Sequence, residues 1–314
     1  MLDADAALFE ERLPDRFPKL VGLYEKAKRD FWNETTAIDW DQPLRIDEEQ
    51  RRALARLLSI TYYGERAAMT IAGQLVASVP DEEARQVLAC QVVEEAKHVG
   101  AFQRLLKKLD RIHPPSFFAR RLLVDLIHTN EPAAKMVGMH LFVENIANHS
   151  FHALRDAVDD PLVRQVLEYV ARDEKKHTAL AVLYLPALLD NLSIPRQAWL
   201  VGKQLKWLTL GMAMVKDGLD DARILKVDLA GAGQRALKSH YRLREQMSTT
   251  RGLLDVPYFD RVIELIARIA QPDATGRRRD RARNGAEVDD GLAREAVPGE
   301  VVPSDGANGS VELS

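Results

Sequence analysis

Glu95-Ala96-Lys97-His98 and Glu174-Lys175-Lys176-His177 are two copies of one pattern, Glu-x-x-His, and each has another glutamate thirty residues ahead of it, Glu65 and Glu144 respectively. Residues three apart on a helix share a face, so each copy offers one carboxylate and one imidazole to a common point. The spacing carries geometry as well. The midpoint between Glu65 and Glu95 is Pro80, in Val79-Pro80-Asp81-Glu82-Glu83, a helix stop followed by an acidic helix start. The midpoint between Glu144 and Glu174 is Asp159, followed by Asp160-Pro161, an N-cap with proline at the first helical position. Both repeats therefore read as helical hairpins. With about 1.5 Å of rise per residue, each pair of glutamates sits at one height, roughly 22 Å from its turn. Two such hairpins packed together bring four carboxylates and two imidazoles to one level of a four-helix core.

The neighbours of these residues are apolar. Tyr62, Ala68 and Met69 flank Glu65; Val92, Val99 and Phe102 flank Glu95; Leu141, Ala147 and Phe151 accompany Glu144; Val170 and Ala171 precede Glu174. Buried unpaired carboxylates are costly, so four converging ones demand positive charge. Two divalent cations supply it. A lone Glu-x-x-His on a helix is ordinarily a solvated acid beside a histidine, but the doubled spacing and the paired turn signals point to a dinuclear site. Oxygen-rich ligation with one imidazole per metal and open positions suits iron or manganese rather than structural zinc. The expected cofactor is two iron ions, or one manganese and one iron, with O2 as co-substrate. His140, one turn before Glu144, is either an additional ligand or proton donor, or a hydrogen-bonded core histidine.

The 314 residues are 46% hydrophobic, ample for a large core. Acids exceed bases by three, so no global basic field suggests nucleic acid. The single cysteine, Cys90, excludes an internal disulfide framework and reads as a small core residue. MLDADAALFEERLPDRF lacks a secretory pattern, and no apolar run is long enough to span a bilayer. A cytoplasmic protein without a membrane span is expected. Apolar residues recur at three and four spacing throughout, which predicts an all-α chain with helices over 17–31, 47–79, 81–110, 115–129, 132–157, 161–191, 195–218, 220–248 and 256–270. These form one helical domain over 1–270. Residues 271–314 contain no aromatic residue and mix charge with glycine and proline, which predicts a disordered tail. Without that tail the chain carries 38 basic and 38 acidic residues, so the predicted domain is formally neutral.

With these residues in hand, the chain resembles the ferritin-like superfamily, and more narrowly the small subunit of class I ribonucleotide reductase and the ligand-binding oxidases built on its scaffold. The resemblance covers about residues 28 to 190 and is carried by Glu65, Glu95, His98, Glu144, Glu174 and His177, by Asp30-Phe31-Trp32 with Ile38-Asp39, and by Arg172-Asp173-Glu174. It implies a ferritin-like four-helix bundle core with flanking helices, and a hydrogen-bonded relay of Trp32, Asp173 and His98. The chain also departs from its relatives. The position of the radical tyrosine is Phe102, the positions that cross-link in the ligand-binding oxidases are Ala67 and Met139, and the extra histidine of the nitrogen-oxygenating branch is Val170. The tail lacks the aromatic C-terminus that docks a reductase large subunit.

These observations predict an O2-dependent oxidase or oxygenase acting on a small organic molecule. Trp32 and Asp173 are its expected relay, and Tyr62, one turn before Glu65, is either a proton or electron donor or a buried tyrosine with one hydrogen bond. An external electron donor and a homodimer are expected. Two other functions stand beside this one: a radical-generating, reductase-like subunit, and ferritin-like iron oxidation and storage.

Overall fold

A computed structural model describes residues 16–247, and among them every regular element is helical. Helix α1 (Pro18–Arg29) begins on a proline and lies against the bundle. Helix α2 (Glu48–Ser78) opens on a capping box in which Asp47 accepts from Gln50 N at 2.8 Å and the Gln50 side chain accepts from Asp47 N at 3.4 Å. It stops at Val79-Pro80, and α3 (Glu82–Leu109) returns antiparallel to it. After α4 (Phe117–Ile127), a second rise is built from α5 (Pro132–Met136), a π-helical stretch (Val137–Glu144) and α6 (Asn145–Ala157). Asp160 then caps α7 (Pro161–Asp190), its carboxylate accepting from Val163 N at 3.0 Å. Helices α8 (Ile194–Asp217), α9 (Leu219–Ile224) and α10 (Leu229–Gln246) cover one flank.

The two hairpins, α2–α3 and α6–α7, form the core, and their turns lie at opposite ends. One apolar cluster gathers Leu75, Val79, Leu88, Leu141, Leu180 and Tyr184, around the first turn. The other gathers Leu54, Leu58, Phe102, Leu105, Phe151 and Val166, around the second. On α2, α3, the rise through α6, and α7 alike, the ligand candidates fall between the two clusters in sequence. The polar side chains thus form one layer closed above and below by close-packed apolar ones, which keeps water out.

Two helices differ from expectation. The stretch 132–157 is continuous in direction, but Val137–Glu144 is wound in the wider π form. The apolar periodicity of VGMHLFVE does not distinguish the two windings. The backbone comes close to its neighbours here: a Cβ on Gly138 would meet Leu126 and lie 2.9 Å from Trp207 Cζ3. Gly138→Ala is expected to destabilise the protein by about 1–3 kcal/mol, read from denaturant unfolding. The expected helix 220–248 is broken in two. Lys226 takes φ 56° and ends α9, and Asp228 restarts the chain by accepting from Gly231 N at 2.8 Å. The predicted helix 256–270 and the predicted tail 271–314 lie outside the described residues. No described helix is long and apolar enough to cross a membrane.

Candidate metal centre

The structure brings all six ligand candidates together. Glu65, Glu95, His98 and Glu174 each offer an atom within 4.8 Å of the others, and Glu95, Glu144 and His177 do the same. Glu95 belongs to both groups. Its Oε2 lies 3.4 Å from His98 Nδ1 and its Oε1 lies 3.3 Å from His177 Nδ1. Glu174 spans the same two imidazoles, with Oε1 3.4 Å from His98 Nδ1 and Oε2 3.4 Å from His177 Nδ1. Glu65 Oε2 sits only on the His98 side, at 3.2 Å. The arrangement is two histidine positions joined by two shared carboxylates, with one terminal carboxylate at each. All six residues are buried.

Burial and mutual repulsion set their protonation. Desolvation pushes the Glu65 and Glu144 carboxyls well above the usual carboxylate range and raises Glu174. For Glu95 desolvation acts upward too, but His177 and His98 outweigh it and hold the carboxyl near about 2. Both imidazoles are raised well above the ordinary range: burial opposes charge, and the surrounding acids overcome it. Glu95 Oε2, Glu144 Oε2, Glu174 Oε2 and His177 Nδ1 are buried without a hydrogen-bond partner. Orphaned buried acceptors of this kind, oxygen-rich and turned toward one another, fit a pair of divalent cations.

Around the ligands the two hairpins exchange support. His98 Nε2 lies 3.2 Å from Asp173 of the other hairpin, and Trp32 Nε1 donates to the same Asp173 oxygen at 2.6 Å. The Trp32, Asp173 and His98 of the expected relay are therefore in contact. His177 Nε2 in turn lies 2.9 Å from Glu94, which the sequence reading missed. Lys176 ties the two acids together, bonding Glu94 and, at 2.8 Å, Asp173; Lys97 reaches Asp173 at 3.2 Å. Two buried acids thus face two buried lysines, and each acid orients the histidine of the opposite hairpin. Burial would raise the Asp173 carboxyl, but His98 and Lys176 hold it far below the ordinary range. The signal was present: Glu94 precedes Glu95 as Asp173 precedes Glu174, and Lys97 precedes His98 as Lys176 precedes His177.

His140 is not among the converging ligand atoms. Its Nε2 lies 3.0 Å from Gln91 Oε1, and the Gln91 amide nitrogen donates to Glu95 at 3.1 Å and to Glu144 at 3.0 Å. It is buried and hydrogen-bonded to Gln91, which reaches both Glu95 and Glu144. Burial pushes its pKa down to about 3, which keeps it neutral. Tyr62 is buried, with its ring 5.3 Å from Tyr63 and Arg66 above it at 5.7 Å; its hydroxyl makes no hydrogen bond to the cluster among the described residues. Phe102 packs on Phe151 at 5.9 Å, and Ala67, Met139 and Val170 are buried among apolar neighbours. Cys90 is half-buried rather than a core residue.

Beside the carboxylates lies a cavity of about 260 Å³. Glu65, Glu144 and Glu174 are among its lining residues, and apolar side chains such as Met139, Phe142, Leu208 and Met212 make most of the remaining wall. Among the described residues that line it there is no lysine, arginine or histidine.

No family model and no curated protein matches this chain. Solved structures do. A protein from Synechococcus with aldehyde deformylating oxidase activity aligns over 67% of this chain and 99% of its own, at 21% identity and a TM-score of 0.55. An R2-like ligand-binding oxidase with an aerobically reconstituted Mn/Fe cofactor aligns over 72% of this chain and 92% of its own, at 19% identity and a TM-score of 0.56. At these identities the likeness is one of fold: an all-α, ferritin-like four-helix bundle with flanking helices.

Proposed function

We propose that this chain is an O2-activating oxidase or oxygenase with a dinuclear Fe/Fe or Mn/Fe centre, and that it acts on a small, uncharged, apolar organic substrate. The observation that carries the reading is the joining of two histidine positions by Glu95 and Glu174 beside an apolar cavity that Glu65, Glu144 and Glu174 line. Glu65 and His98 would hold one ion, Glu144 and His177 the other, with Glu95 and Glu174 shared. When bound, such a pair supplies electrons to O2 and open coordination positions for it. The protein's part is to hold the carboxylates rigidly, to exclude water with two apolar layers, and to keep an apolar substrate beside them. The described wall, without a cationic side chain, offers an anionic substrate headgroup no counter-charge. The named activities of the two structural neighbours, a deformylating oxidase and an Mn/Fe ligand-binding oxidase, support the same class.

Trp32, stacked on Tyr169 at 4.7 Å and bonded to Asp173, is the proposed route by which an external donor's electrons reach His98. Iron storage is the weaker reading, because it gives no role to an apolar cavity opening on the carboxylates. The test is to load metal-free protein with ferrous iron under anaerobic conditions, admit O2, and record oxygen consumption and optical absorption. Two irons per chain and O2 uptake that vanishes without metal are expected; a protein that takes up two irons and consumes no O2 sinks the oxidase reading, and many irons per chain would favour storage.

A further inference from the structure

Of the eight large hydrophobic side chains exposed among the described residues, six lie on α4 and α8: Phe117, Phe118 and Val124 on the first, Ile194, Trp199 and Leu205 on the second. These helices pack antiparallel, because Arg196 pairs with Glu131, Lys203 with Asp125 and Thr129, and Lys206 and Trp207 with Asp125. Both helices thus carry exposed apolar side chains on the outside of the pair, with Phe117 toward one end and Ile194 toward the other. Phe117 is 70% exposed and Ile194 80%, and small residues Ala198 and Gly202 continue the exposed side of α8. From Phe117 to Val124 and from Ile194 to Thr209, no exposed position holds an acid. Across α4 and α8 six basic residues face two acidic ones, whereas the whole chain has a slight acidic excess. Arg120 and Arg121 are exposed and have no ion-pair partner among the described residues.

The inner sides of the same helices are also apolar. Leu122 and Leu123 of α4, with Leu208, Gly211 and Met212 of α8, line the cavity that Glu65, Glu144 and Glu174 also line. A helix pair apolar on both sides and basic at its edge is built for the boundary between water and hydrocarbon. We propose that the α4–α8 face docks on an anionic lipid surface, peripherally and without a spanning helix, and that the bilayer presents apolar substrate to the cavity beneath. A second copy of the chain is a poor occupant. A two-fold contact would set this basic patch against itself, with like charges opposed. An anionic bilayer satisfies both features, taking up the aromatic side chains and pairing with the arginines. Docking needs no metal, and only the substrate-supply half rests on the oxidase reading.

The experiment is flotation of the full chain, metal-free and iron-loaded, with phosphatidylcholine vesicles and with vesicles carrying about one third phosphatidylglycerol. Binding to the anionic vesicles in both metal states, with a blue shift of tryptophan emission, is expected. Two variants test the face: Phe117→Ser with Ile194→Ser, and Arg120→Glu with Arg121→Glu. Because these four positions are exposed, the fold should persist, checked by circular dichroism and melting temperature. Each variant should lower partitioning about tenfold or more. Failure of the native chain to bind anionic vesicles, or undiminished binding by the first variant, overturns the proposal. So does a dimer that the first variant splits without any vesicle binding, since the face would then be an interface between copies. Vesicle binding without O2 uptake would leave docking intact and remove the oxidase reading alone.

Discussion

Glu95→Ala and Glu174→Ala are each expected to take metal content from two ions per chain toward zero, whereas Glu65→Ala and Glu144→Ala should leave about one. The distances give the reason. Glu95 and Glu174 each approach both imidazoles within 3.3–3.4 Å, so losing either strips a ligand and a compensating charge from both positions. Glu65 approaches His98 alone, and Glu144 groups with Glu95 and His177. Elemental analysis after anaerobic loading reads the outcome directly. Equal losses in all four variants would mean that the carboxylates are not divided into shared and terminal roles.

The same site fixes a pH dependence whose sign can be worked out. Glu65, Glu144, Glu174, His98 and His177 have pKa values raised in the folded chain. Such groups stabilise the fold fully below their unfolded values and lose that contribution as pH rises through the folded ones. Glu95, held near about 2, contributes a constant amount above the ordinary carboxylate range of about 4. His140, His149 and His152, lowered by burial, act in the opposite direction as pH rises through about 6.5. Cations change this balance only at the cluster. The melting temperature gained on adding Mn2+ should therefore grow as pH rises from about 5 to 8, with protons released on binding. A gain independent of pH would show that metal does not displace protons from these groups.

The fold was legible because its main signals are periodic and doubled. Pro80 and Asp160-Pro161 marked both turns, and the equal arm lengths on either side of them placed the four carboxylates and two imidazoles at one level. The convergence of the six candidate side chains was legible for the same reason. What the sequence withheld depends on geometry that periodicity does not encode. Nothing in VGMHLFVE separates a π winding from an α one, and a lysine in left-handed conformation at Lys226 has no local marker. The opposite ends of the two turns, and hence the crossing of support between hairpins, are properties of packing. Glu94, Lys97 and Lys176 were hidden by habit: charged residues beside ligands read as solvated, yet these three are 2–4% exposed.

That crossing carries the second large effect. Glu94 belongs to the hairpin of His98 but bonds His177, and Asp173 belongs to the hairpin of His177 but bonds His98. Removing a carboxylate that orients a metal-bound imidazole costs about 10- to 100-fold in metal affinity. The assignment is testable in backgrounds that keep one ion. With Glu65→Ala, the remaining ion sits on the His177 side, and Glu94→Gln should weaken it by that factor while Asp173→Asn has a much smaller effect. With Glu144→Ala the pattern should reverse. Chelator competition for Mn2+ measures both. If each acid instead supported its own hairpin's histidine, the two backgrounds would exchange results. Lys176 is the third member: it lies between the two acids, and Lys176→Met leaves them buried with one lysine, Lys97, on Asp173 and none on Glu94. That variant should lose about 3–5 kcal/mol of stability by denaturant unfolding, and a second change, Glu94→Gln, should recover part of the loss by removing the uncompensated charge.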